Sequence, residues 1–124
     1  MRNYKFHFFY YHNRMVETNR QKYNRKYGFP RDASHSKADI SKTTGIPMRI
    51  LNKSYDRGVG AWKTNIRSVR IKGSMKKDPN LRKFPRSARL PKEAWAMARV
   101  YSMVMGSKAD PDLQREIKEL KKKK

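Results

Sequence analysis

A mainly α-helical fold is predicted: a small helical domain with an extended N-terminal arm and a basic loop. Three observations lead there. Apolar residues recur at helical spacing in several stretches, Pro and Gly stand at the ends of those stretches, and Lys and Arg crowd the one long stretch where the spacing is lost. The domain is expected to hold a helical hairpin, a core helix and a C-terminal helix.

Residues 1–35 form the arm, which carries +6 from eight basic and two acidic residues. In an extended chain Phe6, Phe8 and Tyr10 share one face, and His7, Phe9 and Tyr11 the other. A strand apolar on both faces needs cover. The arm is therefore either a tail with aromatic spots or a segment that docks on a neighbouring protein through Phe6, Phe8 and Tyr10. Tyr23, Tyr27 and Phe29 follow among further Lys and Arg. The opening MRNYKFHFFYYHNR lacks an aliphatic core and a small-residue cleavage site, so no signal peptide is expected.

The helical domain is expected over 36–113. Ser36 suits an N-cap, and Ala38 and Ile40 follow in a helix over 37–43. Gly45 supplies a left-handed turn, and Pro47 opens a second helix. Met48, Leu51 and Tyr55 form its apolar stripe, and the helix is expected to stop at Arg57 and Gly58. There Gly58 and Gly60 would turn the backbone, letting Trp62 fold back against Trp95 as an anchor. A basic loop occupies 63–90, with Pro79, Pro85 and Gly73 discouraging helix and a short strand possible at Val69–Ile71. The clearest helix spans 91–105, from Pro91 to Gly106, with Ala94, Ala98, Tyr101 and Met105 on one stripe and Trp95, Met97 and Val104 beside it. A last helix covers 111–121, with Asp110 as N-cap, Pro111 in the first turn and Leu113, Ile117 and Leu120 on one face. Residues 114–124 are its end and a Lys tail.

Charge narrows the function. The 124 residues hold 32 Lys or Arg against 10 Asp or Glu, a net +22. Such a chain repels itself when compact and calls for a polyanion or an acidic protein surface. Cysteine is absent, the three His lie in the arm without metal-ligand spacing, and no stretch is long enough to span a membrane. No Gly-rich phosphate loop is present, because the RGVG stretch lacks the Gly-Lys-Ser ending. Of the acids, Asp110, Asp112, Glu116 and Glu119 sit at the last helix, where Asp112 and Glu119 have Arg115 at i,i+3 and i,i+4 spacing. No enzymatic activity, cofactor or metal is expected.

Two elements suit nucleic acid. The hairpin DISKTTGIPMRILNKSYDRG has helix-turn-helix spacing around Gly45, and its second helix would present Arg49, Asn52 and Lys53. The same hairpin suits packing alone. The loop carries Lys63, Arg67, Arg70, Lys72, Lys76, Lys77, Arg82, Lys83, Arg86 and Arg89 against the single acid Asp78, a composition for phosphate or acidic-protein contact.

The stretches TGIPMRIL, YDRGVGAWKTN, VR, EAWAMARVYSMV and KAD..L, within roughly residues 38–113, resemble a small basic domain of unknown function found in large eukaryotic DNA viruses and some phages. Arg57, Trp62, Thr64, Arg70, Trp95, Arg99 and Ser102 fall on its motif positions, and the resemblance implies that they share a polar-aromatic cluster. The chain departs from the family pattern after Trp-x-Thr: Asn65 to Arg70 stand where members have a Gly-His-Arg-Pro-Gly-like turn, and a longer basic insertion follows. The resemblance implies a viral origin and no particular chemistry. With the charge it leads to the expectation of a virion structural protein, a minor capsid or cement component. It would bridge coat subunits in a large assembly, contact packaged double-stranded DNA, and occupy the host cytoplasm or nucleus during assembly. The alternative is a viral DNA-binding protein acting through the hairpin and loop.

Overall fold

The computed structural model describes residues 17–72 and 77–122. The chain divides into two units, Met1–Ser34 and His35–Lys124. The expected arm-docking residues Phe6, Phe8 and Tyr10 lie outside the described residues, as does Lys76.

In the first unit, residues placed in the extended arm form a helix, α1 (Asn19–Tyr27). Its start is a reciprocal capping box: the Gln21 amide donates to Thr18 Oγ1 at 3.1 Å, and the Thr18 amide to Gln21 Oε1 at 3.0 Å. Gly28, at φ 78°, closes it. The helix brings Tyr23 against Tyr27, centroids 4.8 Å apart, and against Phe29 at 6.2 Å. Asn24 Nδ2 donates to the carbonyls of Arg31 and Ala33, pinning the returning chain.

The second unit holds α2 (Lys37–Thr44), α3 (Met48–Thr64), α4 (Lys92–Val104) and α5 (Pro111–Lys122). Local chemistry explains most ends. Ser36 and Asp39 form a second capping box, and Gly45 adopts φ 77° between α2 and α3. Pro91 precedes α4, and Gly106, at φ 72°, follows it.

α3 departs from expectation. It does not stop at Gly58 but runs to Thr64, carrying both glycines and Trp62 within it. Gly58 is buried against α4, where a Cβ added to it would lie 2.7 Å from Ala96 Cα and 3.2 Å from Ala96 Cβ. The glycine serves close helix approach, not a turn. The buried faces shift accordingly. α3 buries Ile50, Leu51, Ser54 and Gly58, and leaves Met48 38% exposed. α4 buries Ala96, Val100, Tyr101 and Met103, while Ala94 is exposed. Ile40 of α2, Ile46, Val69 and Leu113 of α5 complete this core. The difference has a simple cause: small residues mark the seam where two helices pack tightly, and an apolar count passes over Gly58 and Ser54.

Short turns and bridges organise the described part of the basic loop. Ile66–Ser68 and Arg86–Ala88 are 3₁₀ turns. Isolated antiparallel bridges join Arg70 to Lys77 and Ile71 to Arg89, and no longer strand forms among the described residues.

Candidate nucleic-acid interface

Two polar features of the second unit matter here, a neutral lock and a basic loop. The lock centres on Asp110, whose side chain is only 1% exposed. Ser54 Oγ donates to its Oδ2 at 2.7 Å, Arg57 Nη1 to Oδ1 at 2.9 Å, and Arg99 to both oxygens at 3.1 and 2.7 Å. Arg57 also forks onto Asp112, with both bonds at 2.9 Å. Two guanidiniums thus meet two carboxylates, and α3, α4 and the start of α5 are tied at one point. Burial alone would raise the Asp110 pKa, but hydrogen bonds from Arg99, Arg57 and Ser54 outweigh it and hold the carboxyl below its ordinary value. The Arg57 bonds hold Asp112 at about 2. Every Asp110 oxygen is occupied, so the group is arranged to pin helices, not to move protons. Asp110 stands at the N-cap position of α5, its carbonyl accepting from the Gln114 amide at 3.1 Å, but its φ of 51° is left-handed and its side chain reaches across the fold instead of capping its own helix. Asp112 and Glu116 of α5 likewise reach across to α3 instead of along their own helix. Glu116 accepts from Arg49 Nη1 at 2.7 Å, which lowers the Glu116 pKa.

The loop is organised by Arg89. Set in a run of surface cations, this side chain is nonetheless buried, its residue 1% exposed. Nε donates to the Phe84 carbonyl at 3.0 Å, Nη1 to those of Val69 at 2.8 Å and Arg67 at 3.3 Å, and Nη2 to that of Asp78. The planar five-donor fork is the side chain able to satisfy several carbonyls at once. Around it the Lys72 amide donates to the Ala88 carbonyl at 3.0 Å and the Leu90 amide to that of Arg70 at 3.1 Å. Trp62 Nε1, from the last turns of α3, donates to the Leu90 carbonyl at 2.8 Å, and the Arg86 guanidinium lies 5.7 Å over its ring.

On this pinned backbone Lys63, Arg67, Lys72, Lys77, Arg82, Lys83 and Arg86 are exposed, and among the described residues none of them makes an ion pair. Arg70 is half-buried beside them. Arg89, expected among the contact residues, is instead interior. Of the hairpin residues, Arg49 is paired with Glu116, Asn52 is half-buried and Lys53 is exposed. The motif residues do not gather in one cluster. Arg57 and Arg99 meet on Asp110, and Ser102 Oγ accepts from the nearby Ala109 amide at 3.4 Å. Trp62 belongs to the loop, Thr64 caps back onto the Gly60 carbonyl of its own helix, and Trp95 is half-buried on α4 without a ring contact to Trp62 among the described residues. Asp110, Asp112 and Ser54 were not singled out from the sequence as cluster members. Four acids gathered at a terminal helix, facing arginines at motif positions, were the available signal.

Among the described residues no group of three His, Cys, Asp or Glu is placed to hold a metal ion, and no helix is long and apolar enough to cross a membrane. The structure is that of a small basic helical protein in which Asp110, Asp112 and Glu116 pair with arginines of other helices. The chain belongs to the family of unknown function DUF5824, whose model matches residues 1–74, from the N-terminus through α3 into the loop. No curated protein and no solved structure matches it.

Proposed function

We propose that this chain binds nucleic acid by gripping phosphates with the loop over residues 63–90. One observation carries the reading: exposed cations with no acidic partner among the described residues stand on a backbone held by internal hydrogen bonds, while Asp110, Asp112 and Glu116 neutralise Arg49, Arg57 and Arg99. Lys and Arg so placed neutralise phosphates and release counterions without reading bases. Base reading by the α2–α3 hairpin has less support, since engaging a base with Arg49 would break its pair with Glu116. The setting we propose, following the resemblance, is a virus particle, with the protein as a minor capsid or cement component touching packaged DNA.

Fluorescence anisotropy with a labelled duplex of about 20 base pairs, across a NaCl series, tests the binding. Each phosphate engaged contributes about −0.9 to the slope of log K against log salt, so full use of the exposed cations gives roughly −6. The triple variant Arg82→Glu, Lys83→Glu, Arg86→Glu is expected to make that slope shallower by about 3. Absence of binding at about 50 mM salt would refute the proposal. Comparable copy number in particles with and without genome would support a shell position, and loss with the genome would leave DNA binding alone.

A further inference from the structure

We infer that Arg89 is a positioning residue for phosphate binding: it makes no contact with the nucleic acid but holds the loop cations in a fixed array before binding. This rests on the nucleic-acid reading above. Its residue is only 1% exposed, and four of its five N–H donors go to the carbonyls of Arg67, Val69, Asp78 and Phe84, so it is closed to a phosphate. Those carbonyls come from the two limbs of the loop, on either side of residues 73–76, and the same limbs carry the exposed Arg67, Lys72, Lys77, Arg82, Lys83 and Arg86. One side chain therefore ties together the backbone on which the cations stand.

A buried cation is costly unless its donors are satisfied, and here backbone dipoles satisfy them. The consequence for binding is entropic. A loop already held in shape loses little freedom when it meets a lattice of phosphates, whereas a slack loop must be ordered at that moment. The array is also poor in stacking surface. Trp62 is half-buried, gives its N–H to Leu90 and has Arg86 over its ring, and the exposed large apolar side chains among the described residues, Phe29 and Met48, lie outside the loop. Single-strand binders combine charge with exposed aromatic platforms. The loop offers spaced charge without them, which fits the regular phosphate rows of a duplex.

Positioning and contact separate in a salt series on the full chain with a labelled duplex of about 20 base pairs. Lys83→Met removes a surface contact, so its slope should be shallower by about one. Arg89→Met should shift the whole line to weaker binding by about tenfold or more with its slope kept, because the phosphate contacts remain and only the ordering cost is added. Arg89→Lys keeps the charge but not the fork, so it should fall with Arg89→Met. Hydrogen exchange on the free protein supplies an independent readout. In both Arg89 variants the amides of Lys72 and Leu90 should exchange faster, with those of α3 and α4 unchanged.

The inference is overturned if Arg89→Met binds as the parent does, if its slope drops by one as for a contact, or if Arg89→Lys restores binding. Unchanged exchange at Lys72 and Leu90 also overturns it, as does loss of protection throughout α3 and α4, which would make Arg89 a residue of the whole fold. If the parent chain binds no duplex, the nucleic-acid reading fails and the inference with it. Altered exchange in the Arg89 variants would then show a structural staple only, so the two failures are distinguishable.

Discussion

Asp110→Asn is expected to lower the stability of the second unit by about 3 kcal/mol, toward the lower end of the range for breaking a buried ion pair. The amide keeps the shape of the carboxylate and discards what the site uses. Asp110 accepts from Ser54, Arg57 and twice from Arg99. An amide nitrogen in place of one oxygen would point a donor at donors. Both guanidiniums would also lose a shared counter-charge, in a chain that already carries +22. The lower end applies because Arg57 and Arg99 remain 39% and 31% exposed and regain some hydration. Urea unfolding followed by circular dichroism measures the change, with Asp112→Asn as a milder comparison, because that carboxylate is largely solvated. A loss of less than about 0.5 kcal/mol in Asp110→Asn would mean that the network is a surface decoration.

The same network fixes the acid limb of the stability profile. The carboxyls of Asp110 and Asp112 titrate lower in the folded chain than in the unfolded one, Asp112 at about 2. A depressed folded pKa contributes stability that is complete above the unfolded value and disappears as pH falls through the folded value. The melting temperature is therefore expected to be flat from about pH 7 to 5 and to fall between about pH 4 and 2. Removing Asp110 should make that fall shallower.

How much of this was legible in the sequence depends on how far apart the interacting residues lie. Ser36 with Asp39, Gly45, Pro91 and Gly106 act within a few residues of themselves, and the elements they bound stand close to where the sequence places them. Thr18 with Gln21 is an equally local signal, but the aromatic alternation at residues 6–11 outweighs it and leads to the expectation of an extended arm over 1–35, where α1 forms. Asp110 is different. Its partners Ser54 and Arg57 lie 56 and 53 positions away, so a residue that looks like a helix cap becomes the tie of three helices only after folding. Arg89 is hidden for another reason. In a run that includes Arg82, Lys83 and Arg86, composition gives no mark of the one side chain that turns inward. The candidate interface was thus visible as a stretch of charge, and its internal division into contact and staple was not.

Gly58 and Gly60 illustrate the same limit and permit a sharp test, since the same substitution at two neighbouring positions should act with opposite sign. Both glycines lie inside α3, where glycine costs about 1 kcal/mol relative to alanine. At Gly60 an added Cβ meets nothing within 4 Å, so Gly60→Ala is expected to recover most of that and stabilise by about 0.5–1 kcal/mol. At Gly58 the added Cβ would stand 2.7 Å from Ala96 Cα. That neighbour is backbone and cannot rotate aside, so α3 and α4 must separate along the seam that buries Ile50, Leu51, Val100 and Met103. Overpacking of this kind outweighs the gain in helix propensity, and Gly58→Ala should destabilise by about 1–3 kcal/mol. Paired urea titrations of the two variants against the parent chain measure the difference. If both alanines stabilise, the helices are not in close contact at Gly58. If both destabilise, α3 ends near Gly58 after all and the glycines form the turn that their spacing first suggests, which would also detach Trp62 from the helix that aims it at the loop.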